Sequence, residues 1–444
     1  MKLFYRFSIF ISFLFLLYTI YRSEIYWEGK NRDYYYIYWI VLIALIIFLS
    51  ITLQLNRIIQ EYVVITLISV VISLYLFEGY HCLKSSCFEN YKKINSSYYD
   101  KRSPIEIYSD LKNNNKNLTI SIAPFNHILT KNSDSILPLA GISNSNTIHC
   151  NENGYYSIYQ SDRYGFNNPD EEWDSNNIEY LLVGDSFTHG SCVNRPDDIA
   201  SVLRELSKKK VLNLGYEGNG PLLEYATFRE YLKPGINNIL WLYSGNDVGN
   251  LNNELKSAKL LKYLQDFNYS QDLKSKQSEI DKLLLQILAK EYSKASQQEN
   301  IFRVNIRNNH ENIISKHLKL FEIRSIFFNQ IFFKKFQFHD EVYLHEKFRS
   351  IMEFANSLAI SNNSKLYFVY LPSFNENYYV FNNDSNKTKI KKMITDLNIE
   401  FIDIGDEVFK KESKPLKLFP FERHSHYTVE GYKKTALKIY EKTK

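Results

Sequence analysis

Three apolar blocks near the N-terminus place the strongest constraint on how this chain folds. Leu3–Tyr21 is interrupted only by Arg6, and neither Tyr35–Leu55 nor Tyr62–Phe77 carries a charge. A hydrocarbon core of ~30 Å needs about 20 apolar residues in a helix, and the aromatic residues at the block ends are typical of the membrane interface. No small-residue cleavage site follows the first block, which argues against a signal peptide. The sequence therefore predicts a membrane region, residues 1–78, with three transmembrane helices.

Charge alone does not fix the orientation of the long region that follows. Lysine and arginine residues between Lys84 and Arg102 favour a cytoplasmic location, but long domains are translocated largely regardless of charge. The chain has four cysteines, which are Cys82, Cys87, Cys150 and Cys192. An even number, with one closely spaced pair, suits disulfides in an oxidising compartment. We therefore expect the C-terminal region to be extracytoplasmic.

The charge balance argues against a nucleic-acid partner. The net charge is only +5 over 444 residues, and neither a basic stripe nor a zinc-ligand spacing accompanies it. The length leaves room for two or three structural units. We divide the chain into the membrane region, a polar linker or accessory region at residues 79–174, and a larger domain at residues 175–444.

Short apolar runs alternate with amphipathic segments in residues 175–444. The predicted strands are Tyr180–Val183, Val211–Leu214, Ile239–Tyr243, Lys365–Leu371 and Phe401–Ile404. The predicted helices are Asp198–Lys208, Leu222–Leu232, His345–Ala359, Lys387–Leu397 and Val429–Lys442. Such alternation predicts an α/β fold with a parallel sheet and helices on both faces, in three layers. A charged helical insertion is expected at about residues 253–340, and shorter strands at Leu118–Ala123 and Ser135–Ile142.

Four polar motifs lie at strand ends or open the last helix. The first motif is Tyr180–Val193, YLLVGDSFTHGSCV. It begins with a predicted buried strand, which ends in a small-residue turn that carries Ser186. Asn213–Gly220 and Ser244–Asp247 follow the next two strands, and His426 stands before the final helix. The carboxyl ends of parallel strands meet at one edge of a sheet. We therefore expect the four motifs to converge there.

The ordered set Ser186, Gly218, Asn246 and His426 resembles the four blocks of the SGNH (GDSL-type) hydrolase superfamily, over about residues 180–444. The resemblance implies that Ser186 is the nucleophile and that His426 is its base. It also implies an oxyanion hole made by the backbone amides of Ser186 and Gly218 and the side-chain amide of Asn246. Gly215 is the alternative to Gly218. Neither a cofactor nor a metal is implied.

The histidine block departs from that family pattern. Family members usually carry an acid two or three residues before the histidine, where this chain has His424 and Arg423. The candidates for the residue that orients His426 are Glu422, His424, Asp403 and Asp406. A backbone carbonyl or an unassisted Ser–His dyad are further alternatives, and His424 is an alternative base.

Three neighbouring residues and one later segment are expected to be structural. Asp185 and Asp247 are interpreted as turn and cap residues, and His189 as a buried structural histidine. Leu318–Phe338, aromatic with interspersed Lys and Arg, is interpreted as a helix packed on the domain, with an interfacial segment or a lid as the alternative.

The resemblance implies a membrane-anchored serine esterase or O-acyltransferase of a bacterial inner membrane, acting on acyl esters of an envelope or exported polysaccharide. The expected partners are the lipid bilayer, an acylated glycan or lipid substrate, and envelope-biosynthesis proteins. One alternative is a lipid esterase or thioesterase. Another is a non-catalytic scaffold in envelope polysaccharide assembly, for which the missing acid is the sign.

Overall fold

The computed structural model describes the chain except for residues 27, 28, 30, 31, 95–98, 101, 124–135, 246, 306–319, 321, 322, 325–332, 375–384, 423 and 424. The chain forms two compact units. The first comprises Met1–Phe88 with Asn308–Phe332, and the second comprises Glu89–Arg307 with Phe333–Lys444.

The first unit contains three long helices. They are α1 (Lys2–Ile20, continued by a π-helical turn, Tyr21–Tyr26), α2 (Arg32–Thr52) and α3 (Arg57–Ile94). Their segments Lys2–Tyr26, Tyr35–Thr52 and Arg57–Tyr80 are long and apolar enough to cross a membrane. The Tyr5 hydroxyl donates to the Gln60 carbonyl at 2.8 Å, and the Gln60 side chain donates to the Leu53 and Leu55 carbonyls. These bonds satisfy backbone groups where α2 turns into α3, as an apolar environment requires.

The second unit is built on a five-stranded parallel sheet. Its strands are β4 (Ile178–Gly184), β5 (Val211–Asn213), β6 (Ile236–Tyr243), β7 (Lys365–Tyr370) and β8 (Glu400–Asp403), in the spatial order β5-β4-β6-β7-β8. The five predicted strands are confirmed, and so is the α/β class. β4 lies between two neighbours, so the motif that follows it starts from a fully paired strand.

Helices connect and cover these strands. They are α5 (Ser186–His189), α6 (Ile199–Ser207), α7 (Pro221–Tyr231), α8 (Asp247–Glu254), α9 (Ala258–Gln265), α10 (Gln277–Asn305), α11 (Phe333–Ser361), α12 (Ser385–Asp396), α13 (Ile404–Glu407) and α14 (Val429–Thr443). Short 3-10 turns occur at Asp170–Asp174, Leu273–Lys276, Phe409–Lys411, Pro415–Leu418 and Pro420–Glu422. Of Leu318–Phe338, only Leu320, Ile323, Arg324 and the first turns of α11 are among the described residues, so its predicted packing or lid role stays untested.

Alternate side chains of the central strands enter two different apolar cores. Leu181 and Trp241 belong to one core, with residues of α7 and α11. Leu182 and Leu240 belong to the other, with residues of α6 and α14. Successive strand residues point to opposite faces, so the sheet is buried on both faces. This arrangement is the predicted three-layer α/β/α architecture.

Part of the predicted accessory region is built into this domain. Helix α4 (Pro104–Leu111) precedes a small sheet of β1 (Leu118–Ile120), β2 (Asn146–Ile148) and β3 (Ile158–Gln160). Phe166 and Trp173 are buried in the same core as β4 and β6. The strand predicted at Ser135–Ile142 is wrong over its described residues, because the backbone of Leu137 bonds to the side chain of Gln271 instead of a strand.

The stretch Asp162–Asn168 forms the structured turn that its composition suggests. The buried Asp162 carboxylate accepts hydrogen bonds from the backbone amides of Tyr164 and Phe166 and from the side chains of Asn168 and Trp173. Asn168 in turn donates to the Asn213 carbonyl at 2.9 Å and accepts from the Asn213 amide at 2.8 Å. This buried network fixes the end of β5 beside the turn that carries Ser186.

Candidate active site

Ser186 stands on the tight turn between β4 and α5. A Cβ atom on Gly184 would lie 2.1 Å from the Thr188 hydroxyl oxygen and 2.6 Å from the Leu242 carbonyl oxygen, so only glycine fits there. Asp185 caps the turn by accepting the Phe187 amide at 2.9 Å and the Ser244 hydroxyl at 2.8 Å, which confirms its predicted structural role. Ser186 itself is 8% exposed.

The structure brings His426 onto Ser186. The Nε2 atom of His426 lies 2.8 Å from the Ser186 hydroxyl oxygen. The next residue anchors the loop, because the buried Tyr427 hydroxyl donates to the Pro372 carbonyl at 2.7 Å. Thr428 then caps α14 by accepting the Gly431 amide at 3.2 Å. A serine hydroxyl within hydrogen-bond reach of an imidazole is the geometry that general-base activation requires.

Glu152 completes the arrangement from a distant part of the chain. One of its carboxylate oxygens, Oε2, lies 2.8 Å from the Nδ1 atom of His426 and accepts the backbone amide of the same residue at 2.7 Å. The two contacts fix both the position of the loop and the plane of the imidazole. Ser186, His426 and Glu152 therefore form a continuous Ser–His–Glu chain with the geometry of a catalytic triad.

Glu152, which was not among the predicted orienting residues, occupies the position beside Nδ1 of His426. Asp403 caps α13 and pairs with Lys387 at 2.9 Å, while Asp406 pairs with Lys387 and Lys410. Both carboxylates are therefore engaged with lysines instead of the imidazole. Glu422 is exposed, and His424, also the alternative base, lies outside the described residues. The carboxylate beside His426 therefore comes from a loop that precedes β4, and not from residues close to the histidine in sequence.

The electrostatics of the triad suit a base. Burial disfavours the imidazolium of His426, but the hydrogen bond and the negative charge of Glu152, with further contributions from Asp185 and Glu217, raise its pKa above the ordinary value. Burial opposes ionisation of Glu152, yet the hydrogen bond and the charge of His426 hold its pKa below the ordinary value. The pair therefore favours a carboxylate that stabilises the imidazolium when it forms.

The second motif distinguishes its two glycines. The Gly215 amide already donates to the Asn213 side-chain oxygen at 2.8 Å, and a Cβ at this position would lie 2.5 Å from the His189 amide nitrogen. Gly215 thus permits close packing against α5. Gly218 adopts a left-handed φ of +79°, and the nearest atom to a Cβ there would be 3.6 Å away. Of the two candidate oxyanion donors, these contacts favour Gly218, because the Gly215 amide is already engaged. The third candidate donor, Asn246, lies outside the described residues.

Two buried histidines lie beside the triad. His149 and His189 have ring centroids 4.6 Å apart, and the Nε2 atom of His149 is 2.9 Å from the Ser191 hydroxyl oxygen. Burial, reinforced by the charge of His426, lowers the pKa of His149 to about 3 and that of His189 well below its ordinary value. Both rings are therefore neutral, in agreement with a structural role for His189.

A disulfide joins Cys150 to Cys192, with the two Cα atoms 4.9 Å apart. The sulfur of Cys192 lies close enough to Glu152 and His426 for the three to resemble a metal-ligand group. A disulfide sulfur is not a thiolate, however, and zinc and similar metals bind the thiolate. This grouping therefore does not argue for a metal. The side chains of Cys82 and Cys87 lie outside the description.

Comparison with known proteins gives little beyond the geometry. No family model matches the chain, and no curated protein matches it significantly. Among solved structures, a protein from Desulfitobacterium hafniense DCB-2 that is described as lipolytic and of the G-D-S-L family is similar at 14% identity and a TM-score of 0.31. The similarity covers 60% of this chain and 99% of that chain.

Proposed function

We propose that this protein is a membrane-anchored serine esterase or O-acyltransferase that acts through Ser186, His426 and Glu152. One observation carries the proposal: the unbroken chain of contacts from the Ser186 hydroxyl through the imidazole to the Glu152 carboxylate, at 2.8 Å in each step. A serine that is buried only for structural reasons needs no contact with a histidine, and such a histidine would need no carboxylate to orient it.

The chemistry follows from these contacts. The Ser186 oxygen attacks the acyl carbonyl carbon while its proton passes to Nε2 of His426. The carbonyl oxygen becomes an oxyanion, which the amides of Ser186 and Gly218 and the side chain of Asn246 would stabilise, at about 3–4 kcal/mol for one such donor. Collapse releases the alcohol, which takes the proton from the imidazolium. Water or an acceptor hydroxyl then attacks the acyl-serine while His426 accepts its proton. The bond between the acyl group and the Ser186 oxygen breaks, and that oxygen takes the proton back from the imidazolium.

The proposed substrates are acyl esters of an envelope or exported polysaccharide. Three membrane-compatible helices would hold the domain near a bilayer where such glycans are assembled or exported. The Cys150–Cys192 disulfide supports an extracytoplasmic domain, since disulfides persist in oxidising compartments. The same helices favour, as a second candidate, an esterase or thioesterase acting on bilayer-borne lipids. The scaffold alternative is less well supported, because it rested on the missing acid before His426, and Glu152 offers a carboxylate in that role.

An organophosphonate serine-hydrolase probe tests this function directly. Full-length protein in detergent should form a covalent adduct that mass spectrometry locates on Ser186, and the adduct should disappear in His426→Ala. A folded protein that gives no adduct under conditions that label a known serine esterase would contradict the proposed activity. Acylated oligosaccharide and phospholipid substrates, compared by kcat/KM on the labelled enzyme, would then separate the two substrate classes.

The role of Glu152 gives a pH-dependent prediction. Glu152→Gln should lower the plateau of kcat/KM by ~10²–10⁴-fold, because the amide no longer secures the productive tautomer of His426 or stabilises its cation. The charge that raises the histidine pKa is lost while the opposing burial remains. The acidic limb of the kcat/KM–pH profile, where the base becomes neutral, should therefore move to lower pH.

Glu217→Gln is the matched control for this experiment. Glu217 also raises the pKa of His426 through its charge, but its carboxylate lies 3.7 Å from Nδ1 of His149 instead of on the ring of His426. We expect a smaller shift of the limb in the same direction and a plateau within about threefold of the wild type. Equal losses of plateau in the two variants would refute a specific orienting role for Glu152.

A further inference from the structure

We propose that the Cys150–Cys192 disulfide is a positioning element of the active site, which holds Glu152 against His426 so that catalysis requires the oxidised protein. The inference rests on the proposed esterase function. It concerns two cysteines outside the Ser186–His426–Glu152 chain, which act by positioning Glu152.

The bridge joins the acid-bearing turn to the nucleophile-bearing turn. Glu152 lies two residues after Cys150, in a turn closed by a bond from the Gly154 amide to the Asn151 carbonyl at 2.9 Å. Cys192 is fully buried and follows Ser191, whose amide donates to the Ser186 carbonyl at 3.1 Å. The covalent link therefore ties Glu152 to the same turn that presents the Ser186 hydroxyl.

The bridge also lies beside the imidazole that Glu152 orients. The Cys192 sulfur is 4.0 Å from Nδ1 of His426, the atom that faces the carboxylate. The side-chain amide of Asn153 also bonds to this region. It donates to the Cys192 carbonyl at 3.0 Å and to the Tyr427 carbonyl at 3.4 Å. Without the bridge, the turn would be held by noncovalent contacts. Besides these bonds and the ion pair, they include bonds of Asn151 and Gly154 to the Asp100 backbone at 2.8 and 2.7 Å and the His149–Ser191 contact at 2.9 Å.

An untethered Glu152 would reach solvent easily, because its side chain is already 34% exposed. Effective concentration falls as a tether loosens, and the bridge joins residues 42 apart in sequence. Reduction by a dithiol, which gives two electrons and two protons to the bridge and is itself oxidised to a disulfide, would yield two cysteine thiols and lower the fraction of enzyme with Glu152 in place.

A thermodynamic cycle on the full-length protein tests the inference. The variants are Cys150→Ser/Cys192→Ser, Glu152→Gln, and the combination of all three substitutions. We expect loss of the bridge to reduce kcat/KM by at least ~10-fold when Glu152 is present and by less than about threefold in the Glu152→Gln background, because coupled residues are not additive. The acidic limb of the pH profile should also move to lower pH, as in Glu152→Gln.

A second measurement does not require the double-cysteine variant to fold. Wild type and Glu152→Gln are treated with dithiothreitol, assayed below the midpoint of thermal unfolding, and reoxidised. Only the wild type should lose most of its activity and recover it on reoxidation. Equal fractional losses in both backgrounds would overturn the positioning role while leaving the esterase intact. An oxidised wild type that neither hydrolyses esters nor reacts with the phosphonate would overturn both proposals.

Discussion

Ser186→Ala should reduce kcat for an activated ester by ~10⁴–10⁶-fold, which leaves only what oxyanion donors and binding supply. The substitution removes the one oxygen that lies 2.8 Å from the imidazole. It changes little else, since the cap of this turn is made by Asp185 and its close packing by Gly184. The thermal unfolding midpoint should therefore stay close to that of the wild type. Steady-state hydrolysis of a nitrophenyl ester is the measurement.

Ser191→Ala is the matched control for the nucleophile. Ser191 is also buried and also lies 2.9 Å from a histidine, His149. Because burial lowers the pKa of His149 to about 3, its ring accepts a proton poorly, and this second pair lacks an effective base. The control should retain activity within about threefold. Substantial turnover by Ser186→Ala together with a loss in Ser191→Ala would transfer the nucleophile to the second pair.

His426→Ala should cost nearly as much as Ser186→Ala, because serine and histidine of a triad act as a unit with losses of ~10⁴–10⁶-fold. In the proposed mechanism the ring accepts the serine proton and gives it to the leaving alcohol; it packs beside Phe187 with ring centroids 4.8 Å apart. The companion variant is His424→Ala, for which we expect less than a tenfold loss. Kinetics of both variants, with thermal unfolding as a check on folding, decide the matter. Comparable losses at the two histidines would show that the base has been misassigned.

Local pattern predicted most of the fold. The alternation of apolar runs with amphipathic segments is a local property. The strand predicted at Ile239–Tyr243 lies within the observed strand Ile236–Tyr243, and the helix predicted at Val429–Lys442 is observed at Val429–Thr443. The turn at Ser186 was also predictable from local sequence, because a run of small residues after a buried strand favours a tight turn over a continued strand. Ser135–Ile142 failed because its backbone partner is a side chain, that of Gln271, more than a hundred residues away, which no local pattern reports.

The acid of the triad was beyond such reasoning for a physical reason. Glu152 and His426 are 274 residues apart, and the Asn-rich turn around Glu152 looks like any polar turn. The available signals were indirect. The histidine block lacks the acid that the resemblance predicts, which left room for a carboxylate from elsewhere in the chain, and Cys150 and Cys192 lie close in sequence to Glu152 and to Ser186. Only the tertiary structure joins those facts.

The position of β4 between β5 and β6 determines which part of the site unfolds first. A strand paired on both edges exchanges its amide protons only when the domain unfolds as a whole, whereas surface loops open locally at lower free energy. Ser186 follows such a strand, but Glu152 and His426 stand on loops. Local opening of the His426 loop would therefore withdraw the proposed base from a serine that has not moved, while the disulfide keeps Glu152 near the serine turn. Activity should fade with mild denaturant before the amide protons of β4 exchange.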